Sequence, residues 1–250
     1  MIVSRKKIME MNMNNTINEL TERKSVRVYT EQTISPEMKK AILEAAVQAP
    51  TAGNQQLYTI LDITSQELKE TLSETCDHQP FIAKAQMVLI FCADCQKWYD
   101  AYKVGNCMPR KPEAGDLMLA VTDAAIAAQN AVTAAHSLGI GSCYIGDIIE
   151  QCERHRELLQ LPSYVFPAVM LVFGYPTEQQ KQRKKPKRCD LKYIVHENGY
   201  HRLTEKELKE MLEQEDKNFE DWIQAFCKRK YNSDFSKEMS RSVKEYLKKF

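Results

Sequence analysis

The 250-residue chain lacks an excess of either charge: 35 Lys and Arg stand against 34 Asp and Glu, a formal net of +1. That balance excludes a global electrostatic attraction to nucleic acid or to an acidic membrane surface. The chain also lacks an unbroken apolar run of the roughly 20 residues that a membrane helix needs. The nearest candidate, 116–138, contains Asp116, Asp123, Gln129, Asn130 and His136 and reads as a core helix. There is no Walker phosphate loop, no Gly-x-Gly-x-x-Gly, no His-Glu-x-x-His and no serine elbow. Glycine is scarce, at eight residues, so each cluster of glycines carries information.

Cysteine is not scarce, but its pattern excludes two of its common uses. The eight cysteines are scattered, mostly inside apolar runs, with no signal peptide ahead of them. A disulfide framework belongs to small secreted chains, so a reducing cytoplasm is expected. Cys92-Ala93-Asp94-Cys95 is the one CxxC pair. With no second pair and no histidine beside it, it falls short of the four-ligand set of a structural zinc site. No metal is expected.

What is present has the size and apolar content of a globular protein, with 43% apolar residues. Residues 1–15 have four methionines and no apolar core, and read as a disordered leader. A short helix is expected over 16–22. Ser35-Pro36 opens a helix, with serine as cap and proline at the first position. Strands are expected at 57–64, 87–93, 140–145, 165–175 and, less regularly, 193–203. Helices fall at 66–75 and 150–160, and an alanine-rich one at 116–137 is apolar nearly all round. Residues 95–115, polar and aromatic, read as a mobile excursion over the surface. Thr204 and Glu207 have capping-box spacing and open a charged helix to about Lys228. A last helix follows Asn232-Ser233-Asp234. The sum is an α+β fold in which helices pack around one sheet. It divides into a leader (1–15), a main domain (16–203) and a helical C-terminal extension (204–250).

Three clusters carry chemistry. In an extended Arg23-Lys24-Ser25-Val26-Arg27, the side chains of Arg23, Ser25 and Arg27 share one side. Two guanidiniums around a hydroxyl suit a phosphate dianion, although the same run also suits a solvated basic turn. The loop Pro50-Thr51-Ala52-Gly53-Asn54-Gln55-Gln56 offers hydroxyl and amides either to a heterocycle edge or to its own turn. The helix 127–137 runs into Gly139-Ile140-Gly141-Ser142-Cys143-Tyr144-Ile145-Gly146, where small residues permit close backbone approach. A fourth run has six cations between Lys181 and Arg188. It reads as a nucleic-acid patch, a solvated loop or a source of charge beside an anion. His136 lies on the alanine-rich helix and reads as a satisfied core histidine.

These clusters, in this order, resemble the FMN-dependent nitroreductase family, and within it the branch of oxygen-insensitive nitroreductases and NAD(P)H flavin reductases. Arg23, Lys24, Ser25 and Arg27 match the family's N-terminal phosphate motif. Thr51 falls where that branch has a small hydroxyl residue near the flavin, with Asn54 in the same loop. Gln79-Pro80-Phe81 is similar to a segment that approaches the ring, and Tyr144-Ile145-Gly146 to the flavin-contacting loop after the central helix. Lys185-Pro186-Lys187-Arg188 is similar to a Lys-Pro-Arg motif whose lysine meets the flavin and whose arginine meets the phosphate. Here that motif carries an extra lysine. Where the branch often has an arginine after Tyr-Ile-Gly, this chain has Asp147-Ile148-Ile149-Glu150.

The resemblance implies a mixed, mostly antiparallel sheet flanked by helices, with a long central helix. It implies a homodimer binding FMN at the subunit interface. NAD(P)H reduces nitroaromatics, quinones or free flavin by a ping-pong route, with no catalytic side chain required. A flavin sensor or carrier with little turnover is the first alternative. A nucleic-acid-binding protein using 181–188 is the second.

Overall fold

The computed structural model describes residues 14–213 and 217–250. The leader expected over 1–15 lies, apart from Asn14 and Asn15, outside the described residues. The chain forms two compact bodies: residues up to Arg183 together with Glu238–Phe250, and Lys184–Lys237.

The first body is built on a four-stranded antiparallel sheet in the order β1-β2-β4-β3. Its strands are β1 (Tyr58–Asp62), β2 (Met87–Asp94), β3 (Gly141–Ile145) and β4 (Val165–Gly174). β2 and β4 are continuous apolar runs, and they take the two central places where both faces are covered. Phe91, Phe173, Leu89, Ile90, Leu171 and Val172 are fully buried there. Each such side chain stabilises the fold by about 1.5–3 kcal/mol.

Helices α1 (Asn15–Glu22), α2 (Pro36–Val47), α3 (Gln66–Thr75), α4 (Gln96–Val104) and α5 (Ala114–Ser137) precede β3. Helices α6 (Cys152–Leu158) and α7 (Glu178–Gln182) follow it. Their starts are capped: Asn14, Ser35, Ser65 and Thr177 each accept a backbone N–H of the first turn, Ser35 as the sequence predicts.

The central helix α5 has the length and hydropathy of a membrane-crossing helix. Its face of Leu117, Ala120, Ala124, Ala127, Ala128, Ala131, Val132 and Ala135 is nevertheless buried, packed on β1 to β4 and on α2. Alanine along that face lets the helix lie close to the sheet. At its first turn Asp116 accepts the Glu113 N–H at 2.9 Å and both terminal nitrogens of Arg110 at 2.6 and 2.9 Å.

Residues 23–30 run extended along the sheet edge. The Val26 N–H donates to Ser142 O at 2.9 Å, beside a parallel bridge from Ser25 to Ser142. Two glycines make this possible. Gly141 and Gly174 are paired across β3 and β4. A Cβ on Gly141 would stand 2.6 Å from Val26, and one on Gly174 would stand 2.5 Å from Tyr29.

Part of the C-terminal extension belongs to this body. Helix α8 (Glu205–Leu212) and helix α9 (Phe219–Lys230) lie in the second body, but α10 (Asp234–Leu247) continues past Glu238 into the first. Tyr246 there is fully buried and meets Phe166 edge-on at 4.9 Å. Ser242 Oγ accepts the Cys152 N–H at 3.0 Å, and Arg241 grips Glu153 through two contacts of 2.8 Å.

The structure differs from the sequence reading in three places. The excursion 95–115 is helical over Gln96–Val104, because Trp98 and Lys97 are pinned by backbone carbonyls of Gln55 and Tyr58 at 2.6 and 2.5 Å. The strand expected over 193–203 does not form. The N–H groups of Tyr193, Ile194 and Val195 turn back on Asp190 and Leu191 at 3.2, 3.0 and 2.8 Å, which leaves no ladder for a neighbour. The helix expected over 204–228 is two helices, the second restarted by Asn218, which caps the Asp221 N–H at 3.1 Å. The capping box of Thr204 and Glu207 does form.

Candidate cofactor site

In the first body three of the sequence-predicted segments close into a ring. The guanidinium carbon of Arg27 stands 5.9 Å from the Phe81 ring centre. That of Arg23 stands 5.8 Å from the Tyr144 ring. Gln79 Nε2 joins the other ends, donating to Asp147 Oδ2 at 2.9 Å and to Cys76 O at 2.7 Å. The circuit runs Arg23, Tyr144, Asp147, Gln79, Phe81, Arg27 and back through Ser25.

Each member is held from behind. β3 carries Tyr144 and the buried Ile145, and Tyr144 Oη donates to Gln129 on α5 at 3.1 Å. Burial pushes the Tyr144 phenol up to about 12, against the opposing charge of Arg23. The Arg27 N–H donates to Gln180 Oε1 at 3.3 Å. Arg23, Ser25 and Arg27 all bear on the Cys143 thiol: burial raises its pKa, and the two arginines and the serine hydroxyl oppose that rise. This is the shared side expected of an extended strand.

Lys24 has a different role. Half-buried, it donates to the carbonyls of Lys181 and Arg183 at 2.5 Å each. Arg183 in turn donates to Ser25 O at 2.6 Å. These contacts fasten the Arg23–Arg27 segment and leave Lys24 as an anchor.

Three observations bear on what the ring accepts. Neither Arg23 nor Arg27 has a carboxylate within 4 Å among the described residues, and Arg23 Nε is buried without a partner. Buried donors are normally satisfied, so this corner suits an anion. Gly146 is exposed at φ −77°, and a Cβ there would meet nothing within 4 Å. The positive-φ glycine of this run is Gly139, at φ +74°. No atom of the chain itself demands a glycine at 146. Finally, Gln79 spends both amide hydrogens on Asp147 and Cys76, so its carbonyl oxygen is left as an acceptor. A phosphate ester of a flat heterocycle with N–H groups, the description of FMN, fits these residues.

Among the described residues no hydrogen bond links Thr51 or Asn54 to the ring, and their loop is tied to α5 and within itself. Asp123, buried on α5, accepts the N–H groups of Ala52 and Leu57 at 3.0 and 3.2 Å and clamps both ends of the loop. Thr51 Oγ1 accepts the Gln56 N–H at 3.2 Å, a turn-forming contact. Asn54 is exposed at φ +57°. Lys185, Lys187 and Arg188 belong to the second body, on irregular backbone.

His136 is not a core histidine. It is half-buried and lines a cavity of about 320 Å³ with Arg23, Lys24, Gln180 and Lys181. The satisfied core histidine is His155, fully buried between Ile148 O at 3.0 Å and Thr75 Oγ1 at 2.8 Å. Burial lowers its pKa.

Sequence reasoning missed Asp123 and Asp147. The signal for the first was an aspartate inside an alanine-rich helix, since buried carboxylates need partners. Asp147 also sits near Glu150, which is only 6% exposed. Burial, with Asp147, Asp77 and Glu238 nearby, pushes the Glu150 carboxyl up to about 7. Among the described residues no group of three or more potential ligands is placed to hold a metal. Cys92 and Cys95 are both buried thiols, pushed by burial up to about 12.

The chain is 30% identical over 236 residues to an FMN reductase (NADPH) of Bacillus subtilis, covering 93% of each. It is 35% identical over 202 residues to an oxygen-insensitive NADPH nitroreductase of Salmonella typhimurium, covering 81% of each. The solved structure of the nitroreductase NfrA1 from B. subtilis superposes with a TM-score of 0.75 at 29% identity, over 90% of this chain and 98% of that one. The model of the nitroreductase family matches residues 20–175, from the helix ahead of Arg23 to the end of β4. The chain belongs to the nitroreductase family.

Proposed function

We propose that the protein is an FMN-dependent NAD(P)H oxidoreductase whose cofactor lies in the ring of Arg23, Tyr144, Asp147, Gln79, Phe81 and Arg27. The observation that carries the reading is that ring, with two arginines that have no counter-charge among the described residues. It is reinforced by membership of a family whose relatives include NADPH-dependent FMN reductases and nitroreductases.

FMN, when bound, supplies the hydride chemistry, and the protein supplies binding, orientation and electrostatics. Arg23, Arg27 and the Ser25 hydroxyl would hold the phosphate through charge-assisted hydrogen bonds. Asp147 and the Cys76 carbonyl fix the orientation of the Gln79 amide, whose carbonyl oxygen would serve as an acceptor for an N–H of the bound flavin. Gly146 keeps the approach clear, and Phe81 and Tyr144 wall the site. NAD(P)H and a proton deliver two electrons and two protons to the acceptor, a quinone becoming its hydroquinone. No side chain is required as a permanent acid.

The working unit is a homodimer. Val104, Met118 and Ile126 are 85%, 65% and 36% exposed on α4 and α5, apolar side chains of the kind that a second copy would cover. Among the described residues of one chain no hydrogen bond ties Thr51 or Asn54 to the ring, which favours a second copy as the source of that loop. The cytoplasm is the proposed compartment, since all eight cysteines are free thiols.

The absorbance spectrum of the purified protein tests the reading, repeated anaerobically after NADPH and after NADH. Flavin bands that bleach are expected, and the reductant that bleaches them faster is the donor. A colourless protein that takes up no added FMN would overturn the reading. Bands that persist under both reductants would make it a flavin carrier.

A further inference from the structure

Behind the two anchors of Gln79 lies a carboxyl group that the ring itself does not use. Glu150 is only 6% exposed, and among the described residues its buried Oε1 has no hydrogen-bond partner. Glu150 follows the short turn Asp147–Ile149 and gives its N–H to Asp147 O at 3.0 Å. The end of α3 is fastened to the next residue, since Gln151 Nε2 donates to Thr75 O at 2.8 Å. Helix α10 is fastened there too, with Glu238 Oε1 accepting the Gln151 N–H at 3.1 Å. The anchors of the Gln79 amide, Asp147 Oδ2 and Cys76 O, therefore belong to segments packed around this carboxyl.

Among the described residues, the groups that face Glu150 give it no counter-charge. Burial favours its neutral form, and Asp147 from its own turn, Asp77 from the end of α3 and Glu238 from α10 favour it further. The Cys76 thiol is kept protonated in the same way, by burial and by the charges of Asp147 and Glu150. His155 on α6 is held neutral by burial. The Arg241 guanidinium is divided between Glu153 and Glu238. A neutral Glu150 fits this enclosure. An ionised one adds a charge that no donor meets, and buried charges without partners are costly. Relief lies in displacing the Asp147 turn or the Cys76 turn, and either movement loosens an anchor of Gln79.

We propose that Glu150 is a positioning residue: as a neutral acid it lets Asp147 and Cys76 hold the Gln79 amide for FMN, and its ionisation weakens FMN binding. The assignment rests on the flavin reading above.

The test is FMN affinity against pH, followed by flavin fluorescence as FMN is titrated into the flavin-free full-length chain and into Glu150→Gln. Titration of FMN itself is common to both, so the ratio of the two dissociation constants isolates Glu150. That ratio is expected to be near one at pH 5. At pH 8 the parent should bind about fivefold more weakly or worse, the size of an ordinary coupling between sites. Asp77→Asn removes one acidic neighbour and leaves Glu150 in place, so it should move the midpoint of the fall in affinity to lower pH. A purely structural role for Glu150 would not produce that movement, and the Asp77→Asn midpoint decides the matter even where Glu150→Gln does not fold. A ratio that stays constant between pH 5 and pH 8, or a midpoint unmoved by Asp77→Asn, would overturn the proposal. Failure of the flavin reading looks different: the parent chain would take up no FMN at any pH.

Discussion

Two basic runs of similar composition, Arg23–Arg27 and Lys181–Arg188, are built in opposite ways. The first docks on a pair of glycines, shares backbone bonds with Ser142, and directs two arginines that lack counter-ions toward Phe81 and Tyr144. The second begins on the short helix α7, where Lys181 pairs with Glu178 at 2.6 Å, and passes into irregular backbone with mostly exposed side chains. The count of cations does not separate a site from a surface. What separates them is whether the backbone is fixed and whether the charges already have partners, since exposed charges are well solvated and interact weakly.

The largest effect is expected from removing the fixed backbone. Gly141→Val would drive a side chain into Val26, displacing the whole strand that carries the arginines. Overpacking of this kind costs about 1–3 kcal/mol or more, and thermal unfolding should show it together with loss of FMN. Full FMN retention in a folded Gly141→Val protein would break the comparison, because the strand would then not need its glycine floor. Gly146→Val makes the control. With open space at Cβ, its melting temperature should stay within a few degrees while FMN binding falls.

Next comes the charge itself. Arg27→Ala removes a charge-assisted contact worth about 1.5–3 kcal/mol, so the FMN dissociation constant should rise by roughly 10- to 150-fold in a fluorescence titration. An unchanged constant would take Arg27 out of the site.

Much of this contrast was legible beforehand, and the part that was not has physical causes. The continuous apolar runs of β2 and β4 and the capped starts of α2 and α8 were all readable, because each is decided by local pattern. The side-chain alternation of Arg23, Ser25 and Arg27 was readable for the same reason. The failures are where distant groups decide. His136 reads as core by its apolar neighbours, but its turn of α5 faces a cavity, while His155 was passed over on a short polar helix. Trp98 fixes α4 through a carbonyl 43 positions away, which no local pattern reveals. In the second body, the described residues 184–237 bury one hydrophobic side chain, Tyr193. Without a core to arbitrate, alternation at 193–203 passed for a strand, and a charged stretch passed for one helix. Asp147 was noted only as the absence of an arginine, whereas its hydrogen bond to Gln79 is what closes the ring.

A buried carboxylate sharpens the same contrast from the acidic side. Glu150 has its folded pKa raised to about 7 from an ordinary value of 4.5. A carboxyl raised in the folded state binds its proton more tightly there than in the unfolded chain. Its stabilising effect is therefore present at low pH and fades as pH climbs from about 4.5 to 7. The cost at higher pH is roughly 3 kcal/mol. Glu150→Gln, which keeps the shape and removes the titration, should raise the melting temperature at pH 8 and change it little at pH 5. Equal shifts at both pH values would mean that the carboxyl is not titrating in this window.

The smallest effects should come from the second basic run, and they decide how far its likeness to a flavin-binding motif extends. If solvation dominates, Lys185→Ala, Lys187→Ala and Arg188→Ala should each change the FMN dissociation constant by no more than about fivefold, the range of an exposed charge pair. Raising the salt concentration should erase even that difference, because exposed charges are screened over about 10 Å at 0.1 M. The Arg27→Ala loss should persist at the same salt. A single substitution among the three that matches Arg27→Ala in size and in salt resistance would mean that its charge is desolvated against the phosphate. The distinction between the two runs would then lie in what each is ordered by: the first by its own sheet, the second by the cofactor.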